Sequence, residues 1–157
     1  MKTFLLPALL AMACFSACAQ QNALDRFYEK YKSSDALSGE LSLSPSLWLS
    51  TSFPDKAGNN WKDKVSHMRL LILDGKKTPA LLDDADGLSR RLKDDKFDDL
   101  LDVHKGKQSL RLMGLEVNGE FTNLVLLMRG DDDGLVFAEL EGRFTDKDMD
   151  HIRGSLE

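Results

Sequence analysis

SLRLMGLEVNGEFTNLVLLMRGDDDGLVFAELEGRF, residues 109–144, decides the fold of this chain. Asn118-Gly119 stands between two runs rich in Leu, Val, Phe and Met. A two-residue type I′ turn needs positive φ at both central positions, and Asn and Gly tolerate it. The dipeptide therefore predicts a hairpin joining Ser109–Val117 to Glu120–Arg129. A second turn at Gly130-Asp131-Asp132-Asp133-Gly134 leads into Leu135–Phe144, so the stretch reads as a three-stranded antiparallel meander. Thr145 caps a last helix, with Asp146 and Asp148 in its first turn and Met149, Ile152 and Leu156 apolar.

Upstream, Val65–Leu73 reads as a central strand. Met68, Leu70, Leu71, Ile72 and Leu73 form a nearly continuous apolar run, the pattern of a strand covered on both faces. Ala80–Lys93 reads as a helix, with Leu81, Leu88 and Leu92 inward. Its acidic first half and basic second half complement the helix dipole. Phe97, Leu100, Leu101 and Val103 read as a short helical turn, wetted by Asp94, Asp95, Asp98, Asp99 and Asp102. Leu24–Lys32 reads as a first helix, with Leu24, Phe27, Tyr28 and Tyr31 at helical spacing, and Leu37–Leu43 as a short strand. Leu47, Trp48 and Phe53 follow Pro45 in a short apolar turn, and residues 54–60 read as a surface loop. The fold class is α+β: a mostly antiparallel sheet with a C-terminal three-stranded meander and helices packed on one face.

The first twenty residues, MKTFLLPALLAMACFSACAQ, have the anatomy of an export signal: Lys2, an apolar run from Phe4 to Phe15, then small residues. The run is shorter than the roughly 20 residues needed to span a bilayer. Cleavage after Ala19 leaves Gln20 first. A lipobox reading of Phe15-Ser16-Ala17-Cys18 instead makes Cys18 a lipidated first residue, although Phe15 departs from the aliphatic residue such a box prefers. Residues 1–19 (1–17 for the lipoprotein) are then the signal peptide, and 20–157 one α+β domain. Cys14 leaves either way, so no disulfide is expected. The protein is expected on the periplasmic side of the envelope, soluble or held on the outer membrane by Cys18.

The net charge of -5 becomes one unit more negative without Lys2. That excess of acid argues against nucleic acid and against anionic headgroups. Membrane contact is expected only through the candidate lipid anchor at Cys18.

No catalytic signature emerges. Asp131, Asp132 and Asp133 are consecutive, whereas a calcium loop of EF-hand type spaces its acids alternately. His67, His104 and His151 are isolated and lack zinc spacing. No strained Gly-x-Ser-x-Gly elbow and no phosphate-binding glycine loop occurs. No cofactor or metal is expected. Trp48 and Trp61 flank the 54–60 loop and are the candidate binding residues, since indole offers apolar area and a donor. Against that stands the plainer role of anchoring the loop.

Four blocks in order carry a resemblance: FYEKYKSSDALSGELSLSP, VSHMRLLILDG, FDDLLDVHKGKQSLRL and LVLLMRGDDDGLVFAELEG. Together they resemble the exported bacterial family catalogued as domain of unknown function 4252. The resemblance implies a signal that is often a lipoprotein one, an aromatic-rich helix, and a meander entered through an aromatic-acid-acid-Leu turn. It also implies an association with envelope signalling through extracytoplasmic sigma factors, and carries over no catalytic residue. The stretch from Trp48 to Trp61 is longer and more polar than the family pattern.

The leading expectation is a non-catalytic envelope binding or interaction protein with an envelope protein partner, in envelope stress signalling. One alternative is a hydrolase in which two of Asp131, Asp132, Asp133 and Glu139 converge. Another is a carrier of a small apolar ligand between sheet and helices.

Overall fold

The computed structural model describes residues 22–41 and 61–156. The meander is as read. Strands β4 (Gln108–Val117), β5 (Glu120–Arg129) and β6 (Gly134–Phe144) pair antiparallel in sequence order. Asn118 and Gly119 have φ of 54° and 81°, the left-handed pair that a type I′ turn requires. The acidic turn closes with the Gly130 N–H donating to the Gly134 carbonyl.

The sheet grows outward from this meander. Strand β2 (Val65–Asp74) pairs with β6, β1 (Leu37–Leu41) with β2, and β3 (Phe97–Lys105) with β4. The order is β1-β2-β6-β5-β4-β3, every neighbour antiparallel. The α+β class therefore holds.

Residues 97–105 correct the sequence reading, which made them a helical turn. They form an edge strand, with Phe97 opposite Leu115 and Val103 opposite Leu110. The register shifts between Asp99 and Leu101, so Leu100 is the extra residue of a bulge. The bulge offsets the alternation by one, and Phe97, Leu100 and Leu101 then imitate the i, i+3, i+4 spacing of a helix. A left-handed Lys96 (φ 68°) turns the chain sharply out of the preceding helix.

Helix α1 (Ala23–Tyr31) starts at Asn22, whose side chain accepts from the Asp25 N–H at 2.8 Å. The four-residue α2 (Trp61–Lys64) precedes β2, and α3 (Leu81–Asp94) connects β2 to β3 across the sheet. Side chains of α1 and α3 share one core with Leu71, Leu73, Met113, Val125, Leu127 and Phe137. Phe27 touches both Tyr31 and Phe137, with ring centroids 4.8 and 5.2 Å apart. Tyr31 and Phe137 are wholly buried, each contributing about 1.5–3 kcal/mol of hydrophobic stabilisation.

The last helix, α4 (Asp146–Leu156), lies elsewhere. Its Met149 and Ile152 pack with Val65, Leu112, Leu124, Leu140 and Phe144. Val125 and Leu127 belong to the first core, whereas Leu124 and Leu126 belong to this one. Successive strand residues point to opposite faces, so α1 and α3 share one face and α4 covers part of the other.

Candidate functional site

The face that carries α4 is apolar well beyond the helix. The pairing register aligns Gly39, Ile72, Val136, Met128, Leu110 and Val103 in one row across all six strands. Ile72 is 44% exposed, Val103 46% and Met128 39%, while Val136 and Leu110 are half-buried. The adjoining row toward α4 is also apolar: Leu70, Ala138, Leu126, Leu112 and Leu101. Next come Met68, Leu140 and Leu124: Leu140 and Leu124 belong to the α4 core, and buried Met68 pairs with Leu140. Among the described residues, one face thus passes from covered to bare within three rows.

The bare end is a trough of about 650 Å³. Five inter-strand steps make it about 24 Å long at roughly 4.8 Å each. Its outer rim is polar. Asp74 pairs with Gly134, and Lys105 with Gln108, in the same register. The Asp132 carboxylate reaches back over the turn to accept from the Gly134 N–H at 3.3 Å. Acid therefore marks the β2–β6 side of the rim, and Lys105 the β3 end.

This row corrects the reading of β2 as covered on both faces. Leu71 and Leu73 are buried, but the intervening Ile72 is exposed. The apolar run has two apolar faces, of which the described helices cover only one completely.

A set of paired charged groups sits on the opposite face. Glu139 on β6 is buried and receives Arg69 from β2, which also donates to Asp25 on α1. Burial pushes the Glu139 carboxyl above the usual range, and Arg69 only partly offsets this. Arg69 lies 4.7 Å from the centre of the Tyr28 ring. The Tyr28 hydroxyl donates to Glu40, and burial together with that carboxylate pushes its pKa up to about 12. Farther along this face, Arg111 donates twice to Asp102, and the His104 Nε2 is 2.8 Å from the same carboxylate.

The sequence-derived candidates fall apart in space. Asp131, Asp132 and Asp133 are exposed at the β5–β6 turn, and the Asp131 carboxylate accepts from Gln108. Glu139 lies five residues along β6, about 17 Å at strand rise, with its side chain buried beside Arg69. These carboxylates do not converge. Phe27, Tyr31, Leu88, Leu92 and Phe137 pack in the interface between the sheet and α1 and α3, and a cavity of about 360 Å³ opens at its edge, lined by Leu24, Leu92, Phe97, Leu115 and Asn123. Cys18 and Trp48 lie outside the described residues, and Trp61 is the first residue of α2. Among the described residues, no three His, Cys, Asp or Glu groups cluster as a metal site would need, and no helix is long and apolar enough to cross a membrane.

The family model for domain of unknown function 4252 (DUF4252) matches residues 32–152, most of the chain. The protein belongs to the DUF4252 family. No curated protein and no solved structure matches the chain. The match to DUF4252 takes in all six strands and α3, so the exposed row lies wholly inside the family domain.

The row is the feature that sequence reasoning missed. A signal for it exists in β5 and β6: Leu124 to Met128 and Leu135 to Ala138 are apolar at both parities. Such strands need cover on both faces.

Proposed function

We propose that this DUF4252 protein is an exported, non-catalytic interaction module of the cell envelope, and that it binds through the bare end of the α4 face. The observation that supports this reading is the in-register row of Ile72, Val136, Met128, Leu110 and Val103. An exposed apolar patch rimmed by polar residues is one mark of an interaction surface. Among the described residues the trough is open to solvent along its length, whereas sites for small molecules enclose most of the ligand. That geometry suits a macromolecular partner better than a substrate.

The leader of residues 1–19, or 1–17 with Cys18 lipidated, supports export to the periplasmic side of the envelope. The family resemblance supports envelope stress signalling as the setting. The acidic balance leaves nucleic acid outside the reading, and membrane attachment rests on Cys18.

Intact mass of the mature protein separates a diacylated Cys18 from a free Gln20 terminus. A photo-crosslinking residue at Met128, compared with one at the exposed Val117 outside the trough, tests the surface in envelope preparations. Crosslinks specific to position 128 are expected. Equal labelling at both positions, or none at 128, overturns the assignment.

A further inference from the structure

We infer that the bare end of the α4 face receives an amphipathic α-helix of another protein, apolar stripe down and cationic flank toward Asp74 and Asp132; this rests on the surface assigned above. The first support is continuity. Met149 and Ile152 of α4 already seat a helix on this face, against Leu124 and Leu140. The rows beyond them carry the same apolar chemistry in the same register and end in exposed Ile72, Met128 and Val103. A surface that holds one helix by its i, i+3 residues offers the next helix the same kind of floor.

Length agrees. The row of about 24 Å accommodates about 16 residues of helix at 1.5 Å rise. Charge supplies the direction. Asp74 and Asp132 flank the trough near β2 and β6, so Lys or Arg on one edge of the incoming helix finds acid there. Lys105 at the far end favours acid at that end of the partner.

A second copy of the chain fits poorly. Sheets stack about 10 Å apart, and a helix is about 10–12 Å across. The α4 helix standing on the same face keeps two such faces from closing on each other. The side of α4 that would enter a neighbouring trough is polar, with Lys147 and Asp150 exposed.

The test uses the full mature protein and a synthetic Leu/Lys peptide of about 18 residues, with leucines at helical spacing. A scrambled peptide of the same composition and a Leu/Glu peptide of the same pattern are the controls. Saturable one-to-one binding of the patterned Leu/Lys peptide is expected, with the scrambled and Leu/Glu peptides weaker. Met128→Glu and Ile72→Glu should each weaken binding about tenfold or more, despite adding a charge that attracts lysine. Val117→Glu, at an exposed position outside the trough, should leave it unchanged. Equal binding of the scrambled peptide, or equal effects of Met128→Glu and Val117→Glu, overturns the inference. If crosslinks from position 128 instead reach a second copy, a lipid or residues 42–60 of the same chain, the helix assignment falls. The first two of those outcomes leave the contact surface itself standing.

Discussion

Lys64, the last residue of α2, donates to the buried carboxylate of Asp148 in the first turn of α4, at 2.5 Å. The other Asp148 oxygen accepts from both the backbone N–H and the hydroxyl of Thr145. One carboxylate therefore caps α4 and ties it to the start of β2. Burial opposes its ionisation, but the hydrogen bonds from Lys64 and Thr145 outweigh this and hold its pKa below the usual range.

Asp148→Asn should lower stability by about 1–3 kcal/mol, the cost of weakening a cap and leaving Lys64 without its counter-charge. The pH dependence has a definite sign. A carboxyl with a lowered folded pKa contributes fully above its unfolded value of about 3.9, and the contribution is lost as pH falls through the folded value. The gap between parent and variant, read from urea denaturation, should be full at neutral pH and narrow below about pH 4.

Glu139 behaves oppositely. Its folded pKa is raised by burial, so its contribution is fully present below its unfolded pKa and is lost as pH rises through the folded one. Arg69→Leu removes the partner of this buried carboxylate, and should cost about 3–5 kcal/mol at neutral pH. The loss should shrink as the solution is acidified and Glu139 takes up its proton. Denaturation curves at two pH values check the trend, and a loss that grows on acidification contradicts it.

Gly142 permits a close backbone approach at the junction of β2 and β6. A Cβ there would lie 2.1 Å from the Lys64 carbonyl oxygen, a backbone atom that cannot swing away. Gly142→Ala should therefore exceed the usual overpacking cost of about 1–3 kcal/mol. Gly114→Ala should be milder, because its nearest neighbours are the tips of Leu100, Phe121 and Leu124. The two melting temperatures, compared side by side, give the test.

Met128→Lys should leave stability within about 0.5 kcal/mol of the parent, because the side chain is 39% exposed and lies outside both cores. It should lower the fluorescence of a dye that reports exposed apolar surface. A large loss of stability would mean that Met128 is covered in the folded protein.

The C-terminal half of the domain is legible because its information is local. Asn118-Gly119 admits few conformations other than the turn it forms, and Thr145 with Asp148 marks a helix start three residues apart. Residues 97–105 were illegible for a local reason too. A one-residue bulge at Leu100 breaks the period of two, and nothing short of pairing with β4 reveals it.

The candidate surface is legible only in part. Apolar residues at both parities of β5 and β6 announce two faces to be covered, and turn chemistry orders β4, β5 and β6. Neither says that β2 adds beside β6, which brings Ile72 opposite Val136. Neither says that α4 turns back onto the face opposite α1 and α3, where it joins Leu140 and Leu124 in one core. Turns, caps and apolar periodicity are short-range properties of the chain and can be read along it. Which apolar face stays bare depends on strand order and on where the helices run out, and both arise from contacts between residues far apart in sequence.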